Sequence, residues 1–157
     1  PKLVGADHAT FNYVAPALPK VVVLGSPDLT GSAHAERERI FARHLGDQPI
    51  LRHYLATGDP EPHKFSDFLS VRAYHRLPLY RHLYHDLHYE DQLAFLLFPP
   101  GAEMVAIALA RDRRSFTERD RRVLKAVRPH VAAAYRRTQK LQLLRRSLSQ
   151  SPPSLRD

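Results

Sequence analysis

The sequence contains no cysteine. Disulfides, thiolate zinc sites, thiol nucleophiles and thioether-linked chromophores are thereby excluded, and a reducing compartment such as the cytoplasm fits. No stretch approaches the roughly eighteen consecutive apolar residues that a membrane helix needs, so a membrane is not among the expected partners. The N-terminus lacks the basic-then-apolar pattern of a secretory signal. Also missing are a glycine-rich phosphate loop, a nucleophile elbow and an acidic pair at helical spacing beside a histidine, which leaves no scaffold for an enzyme.

What is present fits one soluble domain. A chain of 157 residues can bury roughly 70% of its unfolded surface, enough for a single core. Thirteen prolines predict many breaks between elements. The chain opens on Pro1 and enters a strand-like pattern almost at once, so it is expected to begin inside a longer gene product. The net charge of +8 is uneven: residues 111–146 hold thirteen Lys and Arg against three acids, a local +10, which leaves the remainder at −2. Such a segment reads either as the solvated face of a long helix or as a surface for nucleic acid or another acidic partner.

Residues 9–14 and 20–24 are rich in β-branched and aromatic side chains and end at prolines or glycine, which predicts two strands joined by a short turn. Ser32 or a neighbour is placed to cap a helix running to about Leu45, with Ile40 and Phe41 on its apolar side and Gly46 as its stop. A second helix is expected from Gln48 to Ala56 and a short strand from Phe65 to Phe68. Residues 70–88 are helical in pieces, split by Pro78. Residues 92–98 and 104–110 are apolar almost throughout, as in central strands covered on both sides, and the short linking turn makes them an antiparallel hairpin. Thr117 with Asp120 forms a capping-box variant that opens a helix over about 117–148, with Phe116 as a staple. At about thirty residues this helix is about 46 Å long, more than the domain can cover. Pro129 bends it, and residues 149–157 have the chemistry of a linker.

The order of elements is that of an α+β (α/β) GAF- or PAS-like sensor: a central antiparallel sheet, helices on both faces, a long C-terminal helix. The wording is more specific. His53-Tyr54-Leu55, Thr57-Gly58-Asp59, Ser66-Asp67-Phe68-Leu69-Ser70, Tyr74-His75-Arg76-Leu77-Pro78-Leu79-Tyr80, Asp91-Gln92-Leu93-Ala94, Phe116-Thr117-Glu118-Arg119-Asp120 and the run from Leu124 through Arg128-Pro129-His130 to Tyr135 together resemble the N-terminal GAF-like domain of bacterial LuxR-type helix-turn-helix regulators. The resemblance spans residues 5–137. It implies a domain over residues 1–148 that senses a signal and regulates transcription, with the helix-turn-helix module absent from this sequence. Cysteine-dependent GAF activities, sulfoxide reduction and bilin attachment, are excluded by composition.

In folds of this kind the cavity lies between the sheet and the crossover helices. The expected ligand-binding residues are Phe11, Tyr13, Tyr54, Phe68, Tyr74, His75, Tyr80, Tyr84 and Phe95, apolar walls with phenolic hydroxyls and one imidazole, suited to an unidentified small amphipathic molecule. An ordinary filled core needs the same residues, so both readings stand. His82, His85 and His88 drift round a helix at steps of three, and no metal or other cofactor is expected. Homodimerisation is expected along the terminal helix through Leu141, Leu144 and Leu148, with Val131 and Tyr135. DNA would be reached only through the separate module. The alternatives are direct nucleic-acid binding by the basic helix, through Arg136, Arg137, Arg145 and Arg146, and a filled domain that serves only protein contacts.

Overall fold

The computed structural model describes residues 3–15, 20–26, 32–113 and 116–150. The turns after the first two strands, the capping side chain of Ser32 and the tail beyond residue 150 lie outside that description. Five strands form one antiparallel sheet: β1 (His8–Ala15), β2 (Lys20–Ser26), β3 (His63–Lys64), β4 (Asp91–Leu96) and β5 (Met104–Arg111), in the order β2-β1-β5-β4-β3. Between β2 and β3 run α1 (Ser32–Arg43), a 3₁₀ turn at Leu45–Asp47 and α2 (Pro49–Thr57). A crossover then carries α3 (Val71–Tyr74) and a π-helical turn at Tyr80–Tyr84, and α4 (Glu118–Gln150) closes the chain.

Local chemistry accounts for most boundaries. Gln48 caps α2 by accepting the Leu51 N–H at 2.8 Å, and Pro49 occupies the first turn, where its missing N–H costs nothing. Gly58 ends that helix in the left-handed region, φ 72°, with its N–H on the Tyr54 carbonyl at 2.8 Å. At the start of α4 the box is reciprocal: Asp120 N–H donates to Thr117 Oγ1 at 3.2 Å, and Thr117 N–H donates to the Asp120 carboxylate at 2.9 Å. Phe116 is buried beneath the Arg111 guanidinium, 4.1 Å from its ring centroid, and its N–H reaches the buried carboxylate of Asp91 at 3.1 Å.

The expected strand at 65–68 is corrected. Residues 65–67 form a 3₁₀ turn, and pairing with β4 falls two residues earlier, at His63 and Lys64. Asp67 accepts the Lys64 N–H at 2.8 Å, which closes the chain into a turn that no strand can contain.

Every residue of β4 is buried, because both sheet faces are covered. On one face α1, α2 and the crossover pack over Val14, Ala94, Leu96, Met104 and Ala108. On the other, α4 packs over Leu93, Phe95, Leu97 and Val105, with Phe11, Tyr13 and Ile107 beside them.

Candidate ligand cavity

Side chains alternate between faces along a strand, so register decides what each layer receives. Thr10 lies opposite Ala108, and Ala108 opposite Ala94; one step along, Asn12 faces Ala106 and Ala106 faces Leu96. The sheet therefore offers α1 and α2 a row of short and polar side chains. Beneath α1, α2 and the crossover these leave a partly open cavity of ≈ 80 Å³, counted as room for the centre of a water molecule. One water needs about 10–15 Å³ on that scale, so the space suits an organic molecule of several heavy atoms. Its apolar wall includes Val14, Phe41, Leu45, Leu51, Leu83 and Leu87.

Several polar groups at the wall are satisfied within the protein. Gln48 Nε2 donates to Gln92 Oε1 at 2.8 Å, and the Tyr84 hydroxyl lies against both amides. Tyr54 Oη donates to the Ala94 carbonyl at 2.6 Å, with the Glu61 carbonyl at 3.2 Å. Asn12 Nδ2 donates to Thr10 Oγ1 at 2.9 Å. Burial raises the phenols of Tyr54 and Tyr84 well above their ordinary value, and that of Tyr89 to about 12.

Others are not satisfied. Tyr89 is 3% exposed, yet its hydroxyl has no partner among the described residues, and neither has the buried Nδ1 of His34. Arg37 is half-buried at the wall and makes no ion pair or hydrogen bond with a described residue. The adjacent Glu38 is committed elsewhere: Oε1 accepts the Val23 N–H at 2.9 Å and lies 3.3 Å from His34 Nε2.

Of the nine residues expected at a ligand, Tyr54 and Tyr84 line this cavity. The other seven lie elsewhere. Phe11, Tyr13 and Phe95 point to the α4 face. Tyr74 and Phe65 pack ring to ring, centroids 4.7 Å apart, and the Tyr74 hydroxyl donates to the Tyr89 carbonyl at 2.6 Å, so Tyr74 is core. His75 and Tyr80 stack at 4.4 Å and share Glu90: His75 Nε2 lies 2.7 Å from its carboxylate, and the Tyr80 hydroxyl donates to the same group. Burial, then that hydrogen bond, push the Tyr80 phenol up to about 12. Phe68 lies against the rings of His53 and His63. Sequence reasoning missed the polar cavity residues Asn12, His34, Arg37, Gln48, Tyr89 and Gln92. A usable signal was Thr10 and Asn12 alternating with aromatics inside a strand.

Among the described residues one group has metal-ligand geometry, His53, Asp59 and His63, whose donor atoms lie within 4.8 Å of one another. It is distinct from the histidines at 75, 82, 85 and 88. Asp59 Oδ2 is 2.9 Å from His63 Nε2 and Oδ1 accepts the Glu61 N–H at 2.9 Å, so the carboxylate already fastens the turn into β3.

On the far face, the first half of α4 is fixed by cations. Arg121 binds Asp67 at 2.6 Å and 2.7 Å, and Arg128 donates to the Leu96 carbonyl at 2.8 Å and to Glu61 at 3.2 Å. Val131 and Tyr135 pack into the core on this face, Tyr135 5.9 Å from Phe11 and 6.0 Å from Phe98 by ring centroids. Both are half-buried against the sheet rather than on the side that Leu141, Leu144 and Leu148 occupy. From Arg136 to Ser149 every residue is exposed, a projection of about 21 Å. Leu141 and Leu144 are each 50% exposed and Leu148 76%. At about 100° per residue these three lie some 120–180° round the helix from Tyr135, on the side away from the sheet.

No protein-family profile and no curated protein sequence matches the chain. The fold is similar to a solved structure, described as the VqsR LBD domain from Pseudomonas aeruginosa, with TM-score 0.63 and 11% sequence identity over 83% of this chain and 75% of that one. Among the described residues no helix is long and apolar enough to cross a membrane.

Proposed function

We propose that the chain is the ligand-sensing and dimerisation domain of a bacterial LuxR-type transcriptional regulator, a GAF-like module that works in the cytoplasm and passes its signal through α4 to a separate helix-turn-helix domain. The observation that carries this reading is the cavity, a space of small-molecule size with unpartnered polar groups at its wall. The fold likeness to the VqsR ligand-binding domain supports it, as do the short motifs noted in the sequence.

A ligand acts only through unequal affinity for two arrangements of the protein. Tyr54 supplies a physical link: it lines the cavity, its hydroxyl lies between the Ala94 and Glu61 carbonyls, and the Glu61 side chain holds Arg128 and Lys125 of α4. A shift of Tyr54 on binding would bear on the root of the projecting helix. That helix pairs with a second copy through Leu141, Leu144 and Leu148.

Sedimentation of the full chain against a version ending at Arg137 tests the pairing. The full chain is expected at twice the monomer mass and the shortened one at the monomer mass; equal monomeric masses would remove dimerisation from the reading. The second reading, nucleic-acid binding by the arm, is favoured by one observation: Arg136, Arg137, Lys140, Arg145 and Arg146 are all exposed and no acid lies among them. It requires DNA affinity that falls steeply with salt and disappears with the shortened chain.

A further inference from the structure

The charge and hydrogen-bonding deficit of the cavity specifies what would fill it. His34 and Arg37 stand one turn apart on α1, the Arg37 charge acts on the Tyr89 phenol, and all three residues line the cavity. Buried polar atoms in native proteins are almost always paired, and the unpaired Tyr89 hydroxyl beside an Arg37 guanidinium with no counter-charge among the described residues calls for a partner that accepts hydrogen bonds and carries negative charge. Water answers the first need and not the second. A cation is repelled by Arg37. A phosphate, with a second negative charge, meets a single guanidinium at the wall with the Glu38 carboxylate beside it. A carboxylate has one charge and two oxygens, matching the guanidinium fork and leaving lone pairs for the Tyr89 hydroxyl.

Beyond that head the wall is apolar, formed by Val14, Phe41, Leu51, Leu83 and Leu87. We propose that the cavity binds an amphipathic monocarboxylate, its head paired with Arg37 and accepting from Tyr89 Oη, its hydrocarbon part lying on these side chains. The assignment rests on the reading of the cavity as a ligand site and adds the ligand's chemical class.

The test uses the full chain with three probes of one chain length, octanoate, octanamide and octylamine, titrated calorimetrically, and with Nile red as a neutral apolar fluorophore. Octanoate is expected to bind one to one, octanamide at least about tenfold more weakly and octylamine not measurably, since a charged hydrogen bond is worth roughly one to two powers of ten in affinity. Arg37→Gln is expected to bring octanoate down to the level of octanamide without altering octanamide. Tyr89→Phe is expected to weaken octanoate while leaving the unliganded protein equally or more stable, because it removes a buried hydroxyl that had no partner. Equal binding of octanoate and octanamide, or Nile red uptake with no octanoate binding, overturns the carboxylate assignment and leaves the ligand cavity standing. If neither the probes nor Nile red bind, the cavity reading itself fails.

Discussion

The two faces of the sheet are built from the same strands and differ in side-chain size. Toward α4 the strands present Phe11, Tyr13, Leu93, Phe95, Leu97, Val105 and Ile107, and α4 settles on them with Leu124, Ala132 and Tyr135. Toward α1 and α2 they present Thr10, Asn12, Gln92, Ala94, Ala106 and Ala108, and a cavity remains. In close-packed interiors, volume missing from one layer must be supplied by another or stay open. Here the helices do not supply it. One face is thus filled and the other holds a cavity, and single residues should betray the division.

The largest expected contrast comes from truncating the filled face. Phe95, 1% exposed, has no slack around it, so Phe95→Ala should lower the unfolding free energy by about 3–5 kcal/mol, read from denaturant curves. A loss under about 1 kcal/mol would break the comparison. Next in size is an alkaline effect belonging to the open face, where burial has raised Tyr54, Tyr84 and Tyr89 above the ordinary phenol value of 10.0. A folded-state pKa above the unfolded one means the stabilisation is complete below pH 10 and is lost as pH rises through the folded value. For Tyr89 that window runs from 10.0 to about 12, with a slope approaching 1.4 kcal/mol per pH unit, on the order of one proton per phenol. Tyr89→Phe should reduce the slope; an unchanged slope would place this phenol in water. The smallest effect is Ala108→Leu, which grows into open space and should change stability by less than about 1 kcal/mol while abolishing Nile red binding. A clear destabilisation would mean the face is already full.

The sheet and its covering were legible in advance because they depend on local signals. Two apolar runs joined by Pro99-Pro100-Gly101 have few other ways to fold than the hairpin of β4 and β5, and Thr117 with Asp120 marks the start of α4 to the residue. The 3₁₀ turn at 65–67 was not legible, since Phe65 and Phe68 suit either period and the deciding contact is one Asp67 side chain. The cavity was half legible. Its place between sheet and crossover followed from the fold resemblance, and Tyr54 and Tyr84 were assigned to it. Which strand residues face it is a matter of parity, and a one-residue slip exchanges the two sets completely. Treating residues 104–110 as uniformly apolar hid the alternation Val105-Ala106-Ile107-Ala108-Leu109-Ala110, whose small members mark the hollow side. Arg37 looked like a solvated helix residue, and its half-buried place at the wall with no counter-charge among the described residues distinguishes it. The outward turn of Leu141, Leu144 and Leu148 relative to Tyr135 could have been computed from helical geometry alone.

The projecting part of α4 carries Leu141, Leu144 and Leu148 on one stripe and, from Arg136 onward, cations without a single acid. Laying two such arms side by side would crowd like charges, so the proposed pairing is expected to tighten as ionic strength rises and screening improves. A polyanion gripping the same arm responds in the opposite direction, through counterion release. The dependence on electrolyte concentration would therefore tell self-association of the arm from its attachment to nucleic acid.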